Sequence, residues 1–204
     1  MGYWNDKLKA LADIEDVNRA LRWEKSELEP DFLCFADVYG VLSEVIPKDM
    51  IVVDFGCYAG LQGYFFKDHP HYIGIDKSEV PTPQNLENGE FIKKDITDYC
   101  KSIDGSHFKF LDQKTFAILS YVNDTEAVET VRKMFSNVAC YYPGEKNTIR
   151  MGNRETDWNP YIVTDLKKLA TDKPEFDVKR LNDYISTIKQ GLGLVKEYEE
   201  EMER

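Results

Sequence analysis

Five short segments in the middle of the chain read as strands: Met50–Asp54, Tyr72–Asp76, Glu90–Asp95, Thr115–Ser120 and Asn137–Tyr142. The run from Met50 is continuously apolar instead of alternating, which is how a strand reads when both faces of its sheet are covered. Between the runs lie stretches with helical spacing. Residues 60–68 read as a helix, Ile96, Tyr99, Cys100 and Ile103 share a face, and Val128, Val131 and Phe135 mark a helix over 125–136. Strand and helix in alternation demand crossover connections, so the chain is an α/β protein with a doubly wound, mostly parallel sheet.

The ends read differently. Residues 6–22 carry Leu8, Leu11, Ile14, Val17 and Leu21 three and four apart, as an amphipathic helix does. A second helix over 31–46 starts after Pro30 and stops at Pro47. Residues 1–47 are therefore expected as an N-terminal helical cap, 48–144 as the α/β core, and 145–204 as a C-terminal elaboration of one domain. In that last part Tyr161–Thr164 could add a strand, the pattern from Phe176 is helical, and the glutamates after Glu197 should fray a helix end. No further strand pair is evident after Pro143-Gly144.

The stretch Val53-Asp-Phe-Gly-Cys-Tyr-Ala-Gly-Leu-Gln-Gly63 carries the chemistry. A buried strand ends in Asp54, and a turn with Gly56 and Gly60 lets backbone approach a ligand closely. Twenty residues after Gly56, Asp76 ends the next run. Adjacent strand ends put both loops on one crevice, where ligands of doubly wound sheets lie. A carboxylate at the position of Asp76 suits both hydroxyls of a ribose. Asp54 would repel a pyrophosphate, and the glycine spacing is not G-x-G-x-x-G, so a nicotinamide dinucleotide is disfavoured. A cationic adenosyl compound, S-adenosylmethionine, turns the same carboxylate into an asset.

Asp54-Phe-Gly-Cys-Tyr-Ala-Gly60, Tyr72-Ile-Gly-Ile-Asp76 and Phe91-Ile-Lys-Lys-Asp95 resemble the class I S-adenosylmethionine-dependent methyltransferases. The resemblance covers residues 48–144 and implies a seven-stranded sheet with one antiparallel strand. It implies Asp54, Gly56 and Gly60 at the methionine part of the cofactor, with Cys57 and Tyr58 in the same loop. Asp76 with Lys77 falls at the ribose, Asp95 with Ile96 at the adenine, and Ser120 at the end of the fourth strand. Tyr58 stands where the family has a glycine and should narrow the pocket. The loop Ser120-Tyr-Val-Asn-Asp124 lacks the Asn-Pro-Pro-Tyr pattern of amino methyltransferases, and Asn159-Pro-Tyr161 reads as a turn.

Tyr121 and Asp124 are the candidates for catalysis, although Asn123 or Thr125 could simply cap the helix near Glu126. Asp95 reads equally as a helix cap, and Cys57 as packing for its turn. His69-Pro-His71 is expected as a surface turn. No metal site is expected from four scattered cysteines and three histidines, and the cysteine usage fits a reducing cytoplasm. No run is long and apolar enough for a membrane span. With 26 basic against 37 acidic residues, a net charge of −11, nucleic acid is disfavoured as a partner. A small-molecule or protein methyl acceptor is expected, and a homodimer is compatible. The alternative is a non-catalytic module that binds the cofactor, a nucleotide or a protein on the same fold.

Overall fold

A computed structural model describes residues 3–23, 35–103, 114–143, 146–160 and 178–202. In chain order, helices α1 (Tyr3–Leu11), α2 (Ile14–Trp23) and α3 (Ala36–Val45) precede β1 (Ile51–Phe55) and a 3₁₀ helix (Leu61–Phe66). Next come β2 (Tyr72–Asp76), β3 (Gly89–Lys93), α4 (Ile96–Ser102), β4 (Thr115–Ser120), α5 (Thr125–Met134) and β5 (Val138–Tyr141). Strands β6 (Thr148–Met151) and β7 (Arg154–Asp157) and helix α6 (Val178–Met202) complete the described chain.

The seven strands form one sheet in the order β3-β2-β1-β4-β5-β6-β7. Strands β1 to β5 are mutually parallel, whereas β6 runs antiparallel to both β5 and β7. This is the doubly wound, mostly parallel sheet with one antiparallel strand. The strand pair that the sequence leaves unseen is therefore present, as two successive hairpins.

Side-chain alternation along β1 assigns the two faces. Val52 joins Tyr39, Leu42, Phe66, Tyr72 and Ile118 in a core under α1, α3, the 3₁₀ helix and α6. Val53 and Phe55 join Ile75, Leu119, Val131 and Phe135 in a second core under α4 and α5. Asp54 shares the parity of Val52 and so points into the first, aromatic-rich core. Fully burying rings such as Trp4, Phe66 and Phe116 contributes about 2–3 kcal/mol each.

Several elements differ from the sequence reading. The helix expected over 6–22 is two helices, broken where Asp13 Oδ1 accepts the N–H groups of Glu15 (2.8 Å) and Asp16 (3.3 Å). Of the helix expected over 31–46, residues 31–34 lie outside the described residues, as do Pro30, Tyr161–Thr164 and His107. The stretch after Gly60 is 3₁₀ rather than α. Helix α6 keeps helical backbone through Met202, across the glutamates expected to fray. His69 is buried, not a surface turn; its ring packs edge-on to Phe66 and its Nδ1 lies 3.0 Å from Met50 O. Among the described residues, no helix is long and apolar enough to cross a membrane.

Candidate functional site

The parallel strands β2, β1 and β4 present their C-terminal ends to one cavity of about 430 Å³. It opens beside β1 and β4, where the strand order reverses: β2 and β3 extend the sheet on one side of β1, and the chain then crosses back to place β4 on its other side. This is the switch point at which open α/β sheets bind ligands.

At one end stand Asp76 and Asp95. Asp76 Oδ2 accepts the N–H of Tyr58 (2.8 Å), and its Oδ1 accepts both N–H and Oγ–H of Ser78 (2.8 and 2.6 Å). A carboxylate offers about four acceptor positions, so three are taken and room for about one further donor remains, rather than the two expected. Asp95 lines the cavity and also caps α4, its Oδ1 accepting the N–H of Thr97 (2.9 Å). The binding and capping readings of this residue are geometrically compatible.

The floor is built on Asp54. Its side chain is fully buried and does not itself line the cavity. Oδ1 accepts the Tyr39 hydroxyl (2.8 Å), and Oδ2 accepts the Tyr72 hydroxyl (2.6 Å) and Gln62 Nε2 (3.0 Å). Direct contact between this carboxylate and a ligand, as the sequence suggested, is thus replaced by a shell. No lysine, arginine or histidine among the described residues pairs with it. Burial pushes its pKa up to about 6, the three donors pull in the opposite direction, and Asp76 adds repulsion. Burial and the Asp54 charge together hold the Tyr39 and Tyr72 hydroxyls well above the usual phenol range.

Hydrogen-bond capacity defines what the floor can offer. Tyr39 commits its single proton to Asp54. Gln62 commits both amide protons, one to Asp54 and one to Cys57 O (2.7 Å). Both residues line the cavity, and what remains on them is acceptor capacity alone. Ser120 Oγ, buried beside the Tyr39 hydroxyl, makes no hydrogen bond of normal geometry among the described residues. A buried carboxylate behind a layer of acceptors is complementary to a cation that carries donors, and repels an anion.

Gly56, with φ +79°, lines the cavity, and a Cβ there would lie 3.0 Å from Val122 Cγ2. Gly60 does not line it; its left-handed backbone starts the 3₁₀ helix, and a Cβ would collide with the Phe91 ring at 2.2 Å. Cys57, Tyr58, Lys77 and Ile96 all line the cavity. Burial raises the Cys57 thiol well above its usual range, consistent with packing and not with nucleophilic chemistry. Tyr58 and Tyr121 are the non-glycine residues with positive φ, 48° and 60°, among those described, and both face this one cavity. Such backbone costs about 1 kcal/mol or more at each bulky residue.

At the far end, Phe35, Tyr121, Asn123 and Asp124 complete the wall. Asp124, not Asn123 or Thr125, caps α5, its Oδ1 accepting the N–H of Ala127 (3.1 Å). Asn159 is held by the Tyr184 hydroxyl through both its N–H and its carbonyl; of the turn expected over Asn159-Pro160-Tyr161, Tyr161 lies outside the described residues. Among the described residues, no group of three metal-ligating side chains gathers anywhere. Sequence reasoning missed Tyr39, Tyr72, Gln62 and Phe35. Three of these sit in apolar stripes or strands that read as core, and the fourth is a lone glutamine after a turn.

A seven-stranded, mostly parallel doubly wound sheet with its cavity at the switch point defines a Rossmann-like α/β fold. No protein-family model matches the chain, and no curated relative does. Solved structures resemble it at low identity. A Streptococcus mutans protein in complex with SAH is 19% identical over 50% of this chain and 67% of its own, with a TM-score of 0.36. An rRNA methylase from Streptococcus thermophilus is 17% identical over 56% of this chain and 72% of its own, at 0.38. The plantazolicin methyltransferase BpumL in complex with SAH is 18% identical over 68% of this chain and 62% of its own, at 0.37. The fold assignment rests on the sheet order itself.

Proposed function

We propose that this chain is a methyltransferase that binds S-adenosylmethionine in the cavity at the ends of β1, β2 and β4. The observation that carries the reading is the cavity floor: Asp54 has no counter-cation among the described residues, and Tyr39 and Gln62 above it can only accept. An ammonium group supplies the positive charge and the donors that this floor lacks. A pyrophosphate supplies neither, which disfavours a nicotinamide dinucleotide.

In this reading Gly56, Cys57 and Tyr58 accommodate the methionine part, Asp76 accepts one ribose hydroxyl, and Asp95 with Ile96 meets the adenine. Lys77 flanks the ribose and Ser120 the floor. Gly60 serves indirectly, by shaping the loop that carries Tyr58. Bound there, the cofactor supplies an electrophilic methyl group on a sulfonium. The residues of the chain orient the reactants more than they exchange protons, because holding two reactants in line can contribute several kcal/mol to lowering such a barrier. Asp124 is engaged as a helix cap and fits that role better than that of a base. The acceptor is a small molecule or a protein side chain.

One observation favours the alternative of a binding module without transfer. Tyr58 occupies a left-handed position that glycine would adopt without strain, and it lines the cavity. Calorimetric titration with S-adenosylhomocysteine separates these cases. Micromolar binding that weakens at least tenfold in Asp76→Ala is the expected result. Absence of binding by the wild-type protein would defeat the methyltransferase reading, and binding of S-adenosylmethionine without turnover over a broad acceptor panel would favour the module.

A further inference from the structure

The two ends of the cavity are built from different chemistry. Asp76 and Asp95 stand at one, flanked in sequence by Lys77 and Lys94. The other is walled by rings: Phe35 and Tyr121 lie 4.2 Å apart between centroids, and Tyr121 packs in turn on Tyr141 at 5.4 Å and Tyr142 at 6.2 Å. Although it is gripped by three rings, Tyr121 remains 40% exposed.

Its backbone makes that exposure informative. Tyr121 holds φ at 60°, a conformation that disfavours any side chain, and its N–H donates to Tyr141 O (2.9 Å) as glycine's would. The backbone bond by itself does not require a ring there, and the packed ring keeps part of its surface on the cavity wall, where a flat ligand can meet it. Charge narrows the ligand class. Among the described residues, the one charged side chain lining this end is Asp124, whose Oδ1 is committed to capping α5, and no basic group lines it to hold a phosphate or carboxylate. Between the two ends Ser120 Oγ, 95% buried (5% exposed for the residue), lines the cavity without a hydrogen bond of normal geometry among the described residues.

We infer that this end receives a planar, uncharged aromatic or heteroaromatic ring that stacks on Tyr121, with the Ser120 hydroxyl facing a heteroatom on the edge of the ring. Aromatic side chains bind flat rings through their faces with little demand on sequence or substituent. The inference rests on the proposed cofactor reading, which leaves the carboxylate end to the adenosyl group. A lone pair on a ring heteroatom would form the new bond to the methyl carbon as the S–CH3 bond breaks, the electron pair leaving with S-adenosylhomocysteine and any proton on that heteroatom passing to solvent.

The test uses quinoline as the flat probe, titrated into the chain saturated with S-adenosylhomocysteine and followed by ligand-observed saturation-transfer NMR. Quinoline is expected to bind the wild-type protein, at least tenfold more weakly to Tyr121→Ala, and within twofold of wild type to Tyr121→Phe. The affinity for S-adenosylhomocysteine, measured in parallel, should stay within threefold in both variants, which shows that they are folded. Cyclohexylamine, a non-planar cation, and phenyl phosphate, an anion, should each bind at least tenfold more weakly than quinoline. The proposal is overturned if quinoline fails to bind the wild-type protein, if Tyr121→Ala binds it equally well, or if either charged probe is preferred. A wild-type protein that ignores S-adenosylhomocysteine yet binds quinoline through Tyr121 defeats the cofactor reading and leaves the ring subsite standing.

Discussion

Asp54, expected from the sequence to touch a ligand, is instead fully buried beneath the cavity. Its place at the end of a buried strand, before a glycine turn, is visible in the sequence. Its partners are not, because Tyr39, Tyr72 and Gln62 come from three elements that meet only after folding. The burial has a measurable consequence. With a folded pKa of about 6 against about 4 for an ordinary aspartate, ionisation is harder in the native state, by about 3 kcal/mol. The folded-state value is raised, so the contribution of this group to stability is fully present below pH 4 and is lost as the pH rises through 6. Thermal unfolding of the wild type and Asp54→Asn between pH 4.5 and 7.5 checks this. Stability of the wild type relative to the variant should fall across that window, and a constant difference would show that Asp54 does not titrate there.

At the scale of elements, the parallel strands β1, β2, β4 and β5 were legible because strands inside a covered sheet leave apolar runs, while the half-exposed edge strand β3 showed only its central Phe91-Ile92 pair. Strands β6 and β7 were not, since Arg154-Glu-Thr-Asp157 is an edge strand with three exposed side chains out of four and carries no apolar signal. What positions β6 is side-chain chemistry: Arg150 reaches over to donate to the carbonyls of Arg132 and Phe135 (2.7 Å to the latter), closing the C-terminal end of α5. Helix α2 is docked in a comparable way. Asp16, buried, accepts the Tyr64 hydroxyl (2.7 Å), the N–H groups of Gln84 (2.9 Å) and Asn85 (3.0 Å), and Arg19 Nη1 (2.8 Å). Asp16→Ala leaves these donors without an acceptor and should cost about 3 kcal/mol. Urea unfolding would register that loss as a lower midpoint at unchanged slope, whereas a loss under 1 kcal/mol would mean that water replaces the carboxylate.

For the whole molecule, the doubly wound sheet gathers onto one crevice four loops that are separated in the chain: 56–58, 76–78, 94–96 and 120–124. The positions of these loops could be read from strand ends alone, which is why Gly56, Cys57, Tyr58, Asp76, Lys77, Asp95, Ile96 and Ser120 all line one cavity as the sequence suggested. The character of its far wall could not, because Phe35 arrives from the N-terminal helical region and Tyr121 adopts a backbone that residue preferences oppose. The central claim is that a floor of acceptors over a buried carboxylate selects a cationic adenosyl ligand. Calorimetry at pH 7.5 with S-adenosylhomocysteine and its deaminated analogue, in which hydrogen replaces the ammonium, tests that claim most directly. The account predicts at least tenfold tighter binding of the ammonium compound by the wild type, and a gap that shrinks in Asp54→Asn. Equal affinity for the two compounds, or tighter binding of the deaminated one, would contradict it.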